Sequence, residues 1–127
     1  MTRESDLWKK LKAVVKKDFL AYRIESSITP GFPDVVLIDR TNGEVHFVEL
    51  KKWKSIGHTP QFGNVKTSQR NVHAALRKAN ANNYVLGINS VGKYYIGQFD
   101  GMNSIDWTYI KKLEDVLQFL RKDKQHA

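Results

Sequence analysis

Two short runs in the first half of the chain, Asp34-Val35-Val36-Leu37-Ile38-Asp39 and Val45-His46-Phe47-Val48-Glu49-Leu50, restrict its possible folds more than any other feature. Branched and aromatic residues favour extended backbone. Asn42-Gly43 between the runs suits a tight hairpin turn, where positive φ is required. Apolar residues fall on both faces of each run, so these strands belong inside a sheet covered by helices on both sides; a half-wet sheet would alternate apolar with polar. A two-residue turn at Asn42-Gly43 pairs Thr41 with Glu44. Continuing that ladder sets Val36 opposite Glu49 and Asp34 opposite Lys51.

Periodicity organises the remainder. Leu7, Leu11, Val14, Val15 and Phe19 recur at helical spacing after a cap at Thr2 or Ser5, with Lys9, Lys10, Lys12, Lys16 and Lys17 mostly outward. Tyr22 to Ser27 reads as a strand, ended by the turn-forming Thr29-Pro30-Gly31-Phe32-Pro33. Trp53 to Lys66 lacks periodicity and carries Gly57, Pro60 and Gly63, so it reads as a long loop beyond the hairpin. A second helix, capped by Thr67 or Ser68, runs toward Ala81 with Val72, Ala75, Leu76 and Ala79 inward. Strands follow at Tyr84 to Ile88 and Tyr94 to Phe99, and a last helix near Ile110 to Lys122. The order α-β-β-β-α-β-β-α implies an α/β fold, a mixed sheet of about five strands flanked by helices. Residues 1–127 make one domain.

A chain with 41% hydrophobic and 27% charged residues has the balance of a globular protein. Lysine and arginine total 21 against 13 acidic residues, and the resulting charge of +8 suits a polyanionic partner such as nucleic acid. The absence of cysteine excludes disulfides and thiolate metal sites, so any metal must be held by oxygen or imidazole. No apolar run approaches the roughly 20 residues of a membrane span, and the first residues lack a signal-peptide core. The chain therefore reads as intracellular and cytoplasmic. Its compact single domain also suits a viral or mobile-element setting.

In the register above, Glu49 and Lys51 share a strand face, with Asp34 the direct neighbour of Lys51 and the diagonal neighbour of Glu49. A cross-strand ion pair would account for Asp34 and Lys51 but not for Glu49. A shared divalent cation accounts for all three, and an unpaired charge inside apolar strands would be costly. Oxygen ligands favour Mg²⁺ or Mn²⁺, with the Leu50 backbone carbonyl as a further ligand. Lys51 would offset charge developing on a scissile phosphate. His46 falls on the opposite face, His58 in the loop, His73 on the second helix and His126 near the chain end, so no zinc-site spacing emerges. Nor is there a glycine-rich phosphate loop for a nucleotide cofactor.

Gly31-Phe32-Pro33-Asp34 followed by Glu49-Leu50-Lys51 resembles the signature of the PD-(D/E)xK nucleases, and the Gly-x-Pro-Asp opening resembles their VRR-NUC branch. Thr67-Ser68-Gln69 is similar to the Ser-x-x-Gln motif that follows on a helix in that branch. The resemblance implies a restriction-endonuclease-like fold in which Asp34 and Glu49 bind metal, Lys51 is catalytic and Gln69 supports the site. It also implies an acidic residue on the first helix: Glu4, with Asp6 and Glu25 as alternatives. Stand-alone members of the branch resemble Holliday junction resolvases, DNA-repair nucleases that work as two-fold dimers.

Trp53 and Phe62, with Lys52, Lys54, Lys66 and Arg70, would offer stacking and phosphate contacts around the triad, and Lys9 and Lys10 would extend the basic track. These readings converge on a Mg²⁺- or Mn²⁺-dependent endodeoxyribonuclease that acts as a homodimer on branched DNA. Two other readings stay open: an exonuclease or nickase within a replication or repair complex, and a catalytically inactive basic DNA-binding module of the same fold.

Overall fold

The structure, a computed structural model, describes residues 4–24, 30–52, 65–89, 92–99 and 105–123, with the backbone alone at 4, 122 and 123. The elements run α1 (Glu4–Val15), β1 (Phe19–Arg23), β2 (Val35–Asp39), β3 (Val45–Lys52), α2 (Thr67–Lys78), β4 (Asn82–Ile88), β5 (Tyr94–Phe99), β6 (Ile105–Ile110) and α3 (Asp115–Asp123). The strands form a single mixed sheet in the order β1-β2-β3-β4-β5-β6. Neighbours are antiparallel except β3 and β4, which run parallel, with α2 in the connection between them. Among the described residues no helix is long and apolar enough to cross a membrane.

The two faces of the sheet are covered unequally. Leu7, Leu11 and Val15 stand one helical turn apart along α1 and, with Val116 and Leu120 of α3, bury against Leu37, Val48, Leu86 and Ile96. Each such side chain contributes about 1.5–3 kcal/mol relative to exposure. The opposite face carries α2 above a smaller core of Val65, Val85 and Phe99. Residues of β3 alternate between the two: His46, Val48 and Leu50 face α1 and α3, and Glu49 faces α2.

Several expectations change. Among the described residues the sheet has six strands rather than about five, because Ile105–Ile110 extends along β5 instead of leading into the last helix. Asp106 and Thr108 are exposed while Ile105 and Trp107 pack against the smaller core, a period of two that the short segment hides among polar neighbours. The last helix starts at Asp115. Phe19 leaves the first helix and opens β1, where its ring meets His46 edge-on at 5.8 Å. The first strand is accordingly Phe19–Arg23 rather than Tyr22 to Ser27, and residues 25–27 lie outside the described part.

The hairpin register also differs. Val35 pairs with Val48 and Ile38 with Val45, and the Asp39 amide donates to the Glu44 carbonyl at 2.9 Å, leaving Arg40 to Gly43 as the loop. The cause is the Asp39 carboxylate. Its Oδ1 accepts from the Thr41 amide at 2.9 Å and the Thr41 hydroxyl at 2.7 Å, an Asx turn that begins the reversal two residues early. Gly43 closes the loop at a φ of +74°. A shift of two residues leaves every side chain on its expected face.

Asp39 is also where α3 is fastened to the sheet. Arg121 Nε donates to its Oδ2 at 3.2 Å, and the guanidinium lies over Phe19 and reaches Asp18 at 3.4 Å. Burial alone would raise the Asp39 pKa, but the Thr41 and Arg121 hydrogen bonds outweigh it and hold the carboxyl well below its ordinary range. The contribution is present above the unfolded-chain value of 3.8 and is lost as pH falls below it. Asp39→Ala is expected to lower the unfolding free energy by about 2–3 kcal/mol in chemical denaturation. An unchanged midpoint would contradict the fastening role.

Candidate active site

β2 begins immediately after the Gly31-Phe32-Pro33-Asp34 turn, and each residue of that turn has a separate physical task. Gly31 adopts a φ of +85°, and a Cβ there would lie 2.3 Å from the Ser68 carbonyl carbon and oxygen, so only glycine lets the turn rest on the first turn of α2. Phe32 packs edge-on against Phe47, with ring centroids 5.6 Å apart. Pro33 is buried. Asp34 then stands at the end of the β2–β3 ladder, where its Oδ2 accepts the Leu50 amide at 2.8 Å.

Extending the observed register by one pair places Asp34 across from Glu49 and makes Lys51 its diagonal neighbour, the reverse of the sequence expectation. All three still share the α2 face. Asp34 and Lys51 are half-buried, and both lie near enough to His73 to act on its charge. Glu49 is only 2% exposed. Its Oε2 accepts the Gln69 side-chain amide at 3.1 Å.

The orientation of Gln69 is fixed by chemistry rather than by choice. Its Oε1 accepts the Lys66 backbone N–H at 3.0 Å, and since that N–H can only donate, the amide NH₂ must be the end that meets Glu49. The same contact satisfies one of the orphan amides at the start of α2. The helix is therefore capped at Lys66, not at Thr67 or Ser68, and Thr67 instead accepts from Arg70 at 2.8 Å.

Sequence reasoning missed His73. The inner face of α2 is not the stripe of Val72, Ala75, Leu76 and Ala79: Ala75 and Ala79 are exposed, and the buried residue is His73. Its ring stacks on Phe99 at 4.7 Å, its Nδ1 meets the Asn83 side chain at 3.0 Å, and its Nε2 lies 3.7 Å from Glu49 Oε1. The available signal was spacing: His73 follows Gln69 by four residues, one helical turn. Burial pushes its pKa down to about 4, with the Asp34 charge opposing and Lys51 adding to the shift. His46 is buried on the opposite face, as the alternation required.

The remaining candidates separate by place. Lys52 ends β3, and Lys66 and Arg70 flank the first turn of α2, all around the Asp34–Glu49 end of the sheet. Lys9 and Lys10 lie exposed on α1, across the sheet, where Lys10 shares a surface hollow with Lys111, Lys112 and Glu114. Glu4 opens α1 on that same far side, and its side chain lies outside the described part, as do Glu25, Trp53, Lys54, His58 and Phe62. Among the described residues no group of three or more histidines and carboxylates is arranged to hold a metal ion.

No protein-family profile matches this sequence, and no curated protein matches it. Solved structures do. One named VRR_NUC domain is 26% identical, covering 68% of this chain and 86% of its own, with a TM-score of 0.53. The Holliday junction resolvase Hjc of Archaeoglobus fulgidus is 20% identical, covering 91% of this chain and 97% of its own, also with a TM-score of 0.53. The chain therefore resembles a VRR_NUC domain and shares the resolvase's fold. The architecture is restriction-endonuclease-like, with six strands and three helices among the described residues.

Two measurements check this construction. Gly31→Ala is expected to cost about 1–2 kcal/mol from the positive φ alone, with more from the overlap with Ser68. Chemical denaturation would show it, and wild-type stability would contradict the packing. In metal-free protein His73 has a second signature. Above its ordinary 6.5 both folded and unfolded chains hold it neutral, whereas between 6.5 and about 4 only the unfolded chain binds the proton. Stability should therefore fall through that window by something on the order of 3 kcal/mol more in the wild type than in His73→Phe. Parallel pH profiles would contradict the burial of a neutral imidazole.

Proposed function

We propose that this protein is a metal-dependent endodeoxyribonuclease that hydrolyses phosphodiester bonds in branched DNA, with Asp34 and Glu49 as metal ligands and Lys51 as the catalytic cation. The observation that carries this reading is the meeting of these three residues on one sheet face, where β2 starts and β3 ends. The likeness to a VRR_NUC domain and to a Holliday junction resolvase supports it.

The donor set fits Mg²⁺ or Mn²⁺. Such ions are commonly held by one or two carboxylates, with water and substrate phosphate completing the shell, and Asp34 and Glu49 supply two. A strand residue sends its N–H and C=O to the same edge, so the Leu50 carbonyl shares the edge on which its amide meets Asp34. When bound, the cation would supply an activated water and offset charge on the scissile phosphate. The chain's own groups do the remaining work. The Leu50 amide and Gln69 hold the two carboxylates, and Lys51 presents an ammonium to the developing charge. Lys52, Lys54, Lys66 and Arg70 would grip phosphates, and Trp53 would stack on a base. A homodimer would place two such sites on one junction.

A panel of linear duplex, flap, splayed-arm and four-way junction DNA is expected to be cut only with Mg²⁺ or Mn²⁺, and best at the junction. Asp34→Ala, Glu49→Ala and Lys51→Ala should each lower cleavage by about 10²-fold or more while DNA binding persists. Full cleavage by any of them would sink the assignment. Preference for free ends, with a monomer in solution, would favour an exonuclease or nickase, and binding without cutting would favour an inactive module.

A further inference from the structure

Asn83 on β4 and His73 on α2 are both buried, with 2% and 0% of their surface exposed. The Asn83 side-chain Nδ2 lies 3.0 Å from His73 Nδ1 and 3.3 Å from the His73 backbone carbonyl oxygen. That carbonyl can only accept, so the Asn83 group facing it must be the NH₂ end. A donating NH₂ then requires a lone pair on His73 Nδ1, and the ring proton of the neutral imidazole must sit on Nε2. Nε2 is the nitrogen that faces Glu49 Oε1.

We infer that Asn83 and His73 form a relay that fixes the Glu49 carboxylate, with His73 held as the Nε2–H tautomer and aimed at Oε1 while Gln69 holds Oε2. The inference rests on the reading of Glu49 as a metal ligand. Two residues one turn apart on α2 thus direct N–H groups at the two oxygens of a single carboxylate. Phe99, stacked nearly parallel at 24°, fixes the ring plane from the other side. At 3.7 Å the His73–Glu49 approach is electrostatic rather than a full hydrogen bond, and a shift of under about 1 Å closes it. His73 would not touch substrate. It is a positioning residue, and its consequence is the angle at which Glu49 meets a cation.

The test uses the whole 127-residue chain. Long-range ¹H–¹⁵N NMR of the metal-free wild type should show the Nε2–H tautomer at His73, and Asn83→Ala should relax that selection. Calorimetric titration with Mn²⁺ alone should then show His73→Phe, which keeps the ring on Phe99, binding about 10–100-fold more weakly. His73→Gln, which restores a side-chain donor, should recover most of the affinity. An Nδ1–H tautomer in the wild type, or equal Mn²⁺ affinity for wild type and His73→Phe, would overturn the relay. Failure of the wild type to bind Mn²⁺ is a separate result that overturns the metal reading of Glu49 itself, and the relay's role with it.

Discussion

A carboxylate buried in a sheet has to be met by donors, and the arrangement around Glu49 follows from that demand. An ionised group at this depth would cost several kcal/mol if left unanswered. The answer comes from α2, whose first turn supplies the Gln69 amide and whose second turn brings the His73 ring. The helix can sit close enough only because Gly31 leaves room beneath Ser68. The Gly31 turn in turn delivers Asp34 to the end of β3. One buried charge thus links the turn before β2, the end of β3 and the start of α2.

The unequal faces of the sheet suit this arrangement. The face under α1 and α3 carries most of the core and supplies stability through apolar packing. The face under α2 has only a small core, so polar residues there displace little apolar burial. At the far end of the hairpin, Asp39 and Arg121 secure α3, an ion pair with no part in the proposed chemistry. The proposed site stands at the carboxyl end of the parallel pair β3 and β4, the position where open α/β sheets commonly hold ligands.

Much of this was legible in the sequence. The shared face of Asp34, Glu49 and Lys51 follows from a period of two, and it survived a register error because the error was two residues, not one. The difference arises because Asn42-Gly43 suggests a two-residue turn that keeps Arg40 and Thr41 in the ladder, whereas the Asp39 side chain starts the reversal at the strand end by capturing Thr41. The inner face of α2 was misjudged for a related reason. Apolar periodicity favoured Ala75 and Ala79, but the helix is oriented by what Glu49 requires, which brings Gln69 and His73 inward. β6 escaped notice because its period of two, with Ile105 and Trp107 inward and Asp106 and Thr108 exposed, runs over a short segment among polar neighbours.

The central claim is that Asp34 and Glu49 hold one divalent cation between them. Anomalous diffraction from crystals grown with Mn²⁺ tests it without reference to activity or substrate. The account predicts a single strong peak within ligand distance, about 2.1 Å, of an oxygen from each carboxylate. A Mn²⁺ peak that touches neither carboxylate, or none in crystals saturated with the ion, would contradict it.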